Sequence, residues 1–328
     1  MKLRRVLLIS LPLLVMVAMA GLCFGSATIS LAQILEAFRG DGDTAVGLIL
    51  WQLRLPRVAA GLLAGMGLSV SGVLLQCVTA NDLAGPNIIG INSGAGFAIL
   101  LLLTAFPAAG NWLSLGAFLG AFAAAMVILL IGNRLGGSRT GILLIGLSIT
   151  TILNAAISFL SLLDDGVLAQ YNHFTVGSLK AVRMEELAVP FLVIAVAFAV
   201  SLAISSRLGV LCLGDAAAAA LGIRVKRLRV IALACAAASA AAAVSFAGLL
   251  GFVGLMVPHI ARRLVGQQPS KMLILSPILG GTILVLADLL GRTLFAPSEL
   301  PVGILMSLIG APYFLILLCR RKCHAELA

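Results

Sequence analysis

Residues 223–266 read IRVKRLRVIALACAAASAAAAVSFAGLLGFVGLMVPHIARRLVG, and their order decides how the rest of the chain is read. Arg224, Lys226, Arg227 and Arg229 form a basic cluster, after which an apolar run of membrane-crossing length reaches about residue 248. Gly248, Gly251 and Gly254 punctuate a turn, and a shorter run then ends in Pro258-His259-Ile260-Ala261-Arg262. Glycine reaches backbone conformations closed to other residues, so this spacing predicts sharp bends between two spans. The pattern suits a moving membrane part better than a lipid anchor.

The same alternation of apolar run and short polar break extends to both ends of the 328 residues. Hydrophobic residues make up 61%, charged residues 10%, and mean hydropathy is +1.17, too little charge to coat a soluble domain. Ten runs approach or exceed the roughly 18 to 20 residues that cross a bilayer as helix. They cover residues 6–25, 57–77, 90–106, 112–132, 141–163, 187–205, 228–248, 250–265, 272–295 and 301–319. Barrel strands of alternating character are missing, so the fold class is all-α, a polytopic membrane protein with about ten transmembrane helices in one domain, 1–328. The third and eighth runs are short or glycine-interrupted and are expected to be broken, as backbone lining a cavity can be.

Charge placement orients these spans. With the N-terminus inside the cell, the inner segments hold Lys2, Arg4, Arg5, Arg134, Arg139, Arg207, Arg224, Lys226, Arg227, Arg229, Arg262, Arg263, Lys271, Arg320, Arg321 and Lys322, which is 16 of the 22 basic residues. Arg39, Arg54, Arg57, Lys180, Arg183 and Arg292 fall outside. The bias supports both termini in the cytoplasm, and it accounts for the net charge of +10 without nucleic acid as a partner. The first run is too long for a signal peptide and is expected to be retained. Cys23, Cys77, Cys212, Cys235, Cys319 and Cys323 lack CxxC spacing and read as small buried hydrophobes.

Several chemistries have no support. The phosphate-cradling GxxxxGK[ST] loop is absent, as are HExxH and GxSxG, and His173, His259 and His324 lie far apart in sequence. The chain therefore reads as no enzyme, with no catalytic residue, metal site or cofactor of its own. Ion-driven transporters keep carboxylates at mid-membrane depth, and here Asp288 alone lies well inside a run, one turn from Arg292. An ion-coupled secondary transporter or channel stays as the competing reading.

Local patterns mark sites. Arg54-Leu55-Pro56-Arg57 opens the second span on the outer side, with proline suited to a first helical turn and two arginines on one face. Those arginines either hold carboxylates of an external protein or serve as interfacial anchors. From Gln76 to Gly96, small and polar residues including Asn81, Pro86 and Gly90 form an inner turn that re-enters the bilayer, and Gly61-xxx-Gly65 before it suits close helix packing. In 213–222, Gly214 and Gly222 bracket a short alanine helix that Asp215 can start. Ser148, Thr151, Asn154, Ser158 and Ser161 recur at helical spacing in the fifth run, where they line a path or pack against neighbours. His259, near an inner helix end, reads as a structural hydrogen-bonding residue.

The order Arg54-Leu-Pro-Arg57, Gln76, Asn81-x-Leu-Ala-x-Pro86, Gly90 and Gly94-Ala95 resembles the FecCD family of ABC transporter permeases. Later landmarks follow in order: Val176-Gly177-Ser178-Leu179, Leu213-Gly214-Asp215 with Leu221-Gly222, Gly251-Phe252-Val253-Gly254-Leu255 with Pro258-His259, Ala287-Asp288 with Arg292, Glu299-Leu300-Pro301-Val302-Gly303, and Gly310-Ala311-Pro312. The resemblance, from about residue 50 to 318, implies a type II ABC importer permease fold in the cell inner membrane, surrounded by lipid. It implies import of an iron-siderophore-type chelate, with haem, cobalamin and oxyanions such as molybdate left open. It further implies a second permease subunit in a homodimer, two cytoplasmic ATPases that hold ATP and magnesium, and an external substrate-binding protein.

By the same resemblance, Arg54, Arg57 and Arg292 face glutamates of the binding protein. Residues 206–229, with Gly214, Asp215, Ala216, Ala219, Leu221 and Gly222, form the ATPase-coupling segment. Asn81, Pro86, Gly90, Gly251, Gly254 and Pro258 act as gate or hinge, and the fifth and eighth spans line the path. The family usually has proline where Asp82 and Leu249 stand, which puts the local shape of both loops in question.

Overall fold

The computed structural model describes residues 2–25, 29–40, 45–106, 110–134, 139–163, 165–180, 182–294, 296 and 298–325. The side chains of Arg139, Arg320, Arg321, Lys322, Cys323 and His324 lie outside that description. The described residues are mostly helical and contain no strand: α1 (Lys2–Cys23), α2 (Leu31–Arg39), α3 (Ala45–Leu48), α4 (Leu55–Thr79), α5 (Ile91–Ala105), α6 (Leu113–Arg134) and α7 (Arg139–Ser161) make up the first half. The second half holds α8 (Asp165–Val176), α9 (Ala188–Leu211), α10 (Asp215–Ala220), α11 (Val225–Ala247), α12 (Val253–Val265), α13 (Pro269–Thr293) and α14 (Val302–Ala325). Each of the ten apolar runs coincides with one helix: α1, α4, α5, α6, α7, α9, α11, α12, α13 and α14. Seven helical stretches among the described residues are long and apolar enough to cross a membrane, while Ile91–Ala105 and Val302–Leu317 are shorter apolar helices.

The core forms around α4 and α11, because their residues are small enough to let backbones meet. In α11 the alanines at 232, 236, 237 and 240 to 243 are fully buried, and α4 keeps one of its longest buried stretches, Gly67 to Thr79. Without a hydrophobic drive inside lipid, such close approach supplies the dispersion that holds spans together. A Cβ on Gly65 would lie 2.7 Å from Gly281 N, and one on Gly72 would lie 2.9 Å from Gly254 Cα. The Gly61-xxx-Gly65 reading thus finds its partner in α13, and a second crossing joins α4 to α12. A smaller cluster, with Val17, Leu22, Ile34, Leu50, Val58 and Val285, seats α1 and α2 against the start of α4.

Two expectations need correction. The third and eighth spans are not broken internally: α5 runs for 15 residues and α12 for 13, and the irregular backbone lies just before each. Ahead of α5, Pro86–Ile89 makes a 3-10 turn and Gly90 takes φ +70°; ahead of α12, the bend falls at Gly248 (φ +72°) and at Phe252 (φ +64°). Gly254 serves a different purpose, since a Cβ there would press to 2.8 Å against Leu68 O and Pro86. The cysteines also divide: Cys77 is buried and Cys23 and Cys235 are half-buried, but Cys212 and Cys319 are exposed.

Candidate functional sites at the two ends of the bundle

At one end of the bundle, the last turn of α1 leaves carbonyls that its own helix cannot satisfy. Arg54 donates Nη1 to Leu22 O and, at 2.7 Å, to Cys23 O, while Arg292 donates Nη2 to Gly21 O. A cation at a helix C-terminus also meets the negative end of the helix dipole. Arg57 turns to acids of the same chain. Its Nε and Nη2 grip Asp288 at 2.9 Å each, and Nη1 reaches Glu299 Oε2 at 2.9 Å. Asp288 is further approached by Arg292 Nε at 3.6 Å, and Glu299 by Lys180 Nζ at 3.8 Å.

All three arginines are thus engaged within the chain, Arg54 and Arg292 by carbonyls of α1 and Arg57 by Asp288 and Glu299. Arg54 and Arg292 are 5% and 3% exposed. They border a cleft of about 230 Å³ with Gly25, Lys180 and Glu299. Partial burial pushes the Glu299 carboxyl up, but its hydrogen bond to Arg57 and the charges of Arg57, Lys180 and Arg292 outweigh this and leave it below the usual carboxylate range. Asp288, expected beside Arg292, has Arg57 as its closer partner, which sequence spacing could not show across 231 residues.

At the opposite end, α4 stops on Ala80 in the left-handed conformation, and Asn81 Oδ1 accepts from Leu83 N at 2.9 Å to fold the next turn. Asp82 forms an ion pair with Arg262 of α12, and Arg262 also donates to Gln76 Oε1 at 3.3 Å. Gln76 in turn donates to Leu255 O at 3.3 Å, so the inner turn is fastened to α12 by three side chains. The signal was present in the acidic residue at 82, where the resembling family usually has proline. His259 accepts from Arg263 at 3.1 Å and faces the Tyr313 ring edge-on, in keeping with a structural role.

The same end carries α10. Gly214 (φ +117°) and Gly222 (φ +76°) flank its six residues with open space around both, and only Ala218 on the helix is buried. Asp215 is held by Arg229 of α11 at 2.7 Å, while Leu213 and Leu221 are 74% and 68% exposed. Gly214, Asp215, Ala216, Ala219, Leu221 and Gly222 thus come together on one short projecting element.

The α7 helix is different again. Ser148, Thr151, Asn154 and Ser158 are exposed and Ser161 is half-buried, beside exposed Leu144, Leu147, Ile152 and Phe159. Each hydroxyl donates to the carbonyl one turn back, at 2.8 to 3.0 Å, so none stands bare. Asn154 has no such bond, and its amide finds no partner among the described residues. The eighth span, α12, mostly faces inward: Val253, Met256, Val257, Pro258, Ala261 and Val265 are buried.

A family model described as the FecCD transport family matches residues 13–320. The chain is 36% identical, over 95% of its length and 94% of the other's, to the ferric enterobactin transport system permease protein FepD of Escherichia coli. It is 34% identical to the hemin transport system permease protein HmuU of Yersinia pestis, over 92% of each chain. A solved metal-chelate type ABC transporter in an inward-facing conformation superposes with a TM-score of 0.87 and 29% identity, over 97% of this chain and 99% of that one.

Proposed function

The chain belongs to the FecCD transport family of ABC importer permeases, and on that premise we propose that it forms, with an identical second copy, the channel through which an iron-siderophore-type chelate enters the cytoplasm. The observation that carries the reading is the exposed polar face of α7. A lone asparagine amide turned to lipid is costly, whereas the same amide facing a wet cavity or a second subunit is not. Relatives named for ferric enterobactin and hemin transport support a bulky chelate as the cargo.

The work is done by partners. Two cytoplasmic ATPases, with ATP and magnesium, engage α10 through exposed Leu213 and Leu221, and their closure rocks the spans between outward and inward openings. Asn81, Pro86 and Gly90 belong to the inner turn that such rocking must bend, Gly254 of α12 packs against Pro86, and Gly251 and Pro258 lie before and within α12. An external binding protein docks over Arg54, Arg57 and Arg292, where an incoming carboxylate competes with Asp288 and Glu299 for Arg57. Both termini, with Lys2, Arg4 and Arg5 at one of them, lie in the cytoplasm.

In proteoliposomes holding the chain, its ATPase and its binding protein, uptake of a radiolabelled ferric chelate is expected to require ATP. Uptake that continues without the ATPase would remove the reading in favour of ion coupling, which the sequestering of Asp288 by Arg57 already disfavours. Leu221→Glu should abolish ATPase co-purification. Arg54→Glu combined with Arg57→Glu should abolish binding-protein association, and unaltered affinity in a variant that still folds would end the docking assignment.

A further inference from the structure

We infer that the groove between α9 and α11, beside α10, is a binding site for the headgroup of an anionic phospholipid. Arg207 near the end of α9 and Arg224 and Arg227 at the start of α11 line a groove of about 570 Å³ together with Ile204, Leu221 and Ile231. No carboxylate lines it, and the nearest acid on α10, Asp215, is engaged by Arg229. All three arginines are exposed, and the side chain of none has a hydrogen bond or ion pair to another described residue. Three like charges sharing one groove repel each other until an anion neutralises them.

The groove includes an apolar seam, made by Ile204 of α9 and by Leu228 and Ile231 of α11. On α11 the half-buried Ile231, Cys235 and Ala238 follow Arg227 at helical spacing. An acyl chain lying in this seam brings a phosphate to the guanidiniums, whose forked donors match its oxygens. Free inorganic phosphate would use only the basic end, and an acidic protein segment would leave the seam bare. Basic pockets between membrane helices take lipid headgroups on this principle. The site stands on the membrane-spanning fold alone and is independent of the cargo.

The full-length chain is extracted from mixed phosphatidylethanolamine and phosphatidylglycerol vesicles, and the retained lipid is weighed by native mass spectrometry. Phosphatidylglycerol should be retained preferentially, with roughly fivefold less for each of Arg207→Gln, Arg224→Gln and Arg227→Gln, and the bulk ratio for the triple variant. Lys226→Gln, a neighbouring exposed charge outside the groove, should change nothing. Millimolar inorganic phosphate should not displace the lipid. Undiminished retention in the triple variant overturns the proposal, as does an equal loss in Lys226→Gln or displacement by phosphate alone. Loss of ATPase association in the triple variant with lipid retention intact would mark the groove as a protein surface and overturn it as well.

Discussion

Arg57 satisfies two carboxylates from distant parts of the chain, and its removal would leave Asp288, with 5% of its side chain exposed, facing only Arg292 at 3.6 Å. An uncompensated buried charge costs about 3 kcal/mol or more, whereas replacing both members by apolar groups can be neutral. Arg57→Met should therefore lower the melting temperature in detergent markedly, and Arg57→Met with Asp288→Leu should recover most of the loss. Arg57→Lys should not rescue, since a lysine cannot make the bidentate grip. Equal melting of the single and double variants would show that the pair is not coupled.

Glu299 gives this cluster a pH dependence. Its folded-state pKa is depressed below the ordinary 4.5, so its contribution to stability is complete above that value and is lost as pH falls through the folded-state value. The stability difference between wild type and Glu299→Gln should be constant at neutral pH and vanish in acid. A difference that grows as pH falls would contradict the assigned sign. Sequence made the arginines conspicuous, but not their direction: Arg54 and Arg292 cap α1 through carbonyls, and backbone acceptors leave no trace in a residue pattern.

At the scale of elements, all ten apolar runs correspond to helices, seven of them within stretches long and apolar enough to cross a membrane, because run hydrophobicity needs no knowledge of tertiary contacts. What escaped was made by contacts or by short amphipathic pieces. Helix α2 begins with a capping box between Ser30 and Gln33, and α8 closes a junction where Ser178 N donates to Ala247 O and Gly303 N donates to Gly177 O. Gly254 was read by resemblance as gate or hinge, and the close approach of Leu68 O and Pro86 is a packing reason for glycine that the sequence did not show. Gly254→Leu would drive a side chain into Leu68 O and Pro86, and a cost of about 3 kcal/mol or more is expected, read as a loss of folded protein. Gly222→Ala meets no atom and strains only a left-handed backbone, so about 1 kcal/mol is expected there. If the two variants unfold alike, Gly254 is conformational and not a packing residue.

For the whole molecule, the distribution of exposure separates a packed interior from exposed helical surfaces. The interior is α4 with α11, α13 and α12, closed by glycine crossings and tied at either end by Arg57 and Arg262. The exposed surfaces are α10, where Asp215 is held by Arg229, the groove beside it, whose arginine side chains have no partner among the described residues, and α7, whose hydroxyls bond the carbonyls one turn back. If α7 merely faced lipid, a large apolar side chain at Asn154 would be harmless or favourable, since it would replace an unsatisfied amide. If α7 lines the passage, the same side chain obstructs it. Asn154→Trp is therefore expected to lower chelate uptake at least about tenfold while leaving melting temperature, ATPase association and basal ATP hydrolysis unchanged. Wild-type uptake in a fully assembled Asn154→Trp transporter would assign this face to lipid and move the passage to another helix.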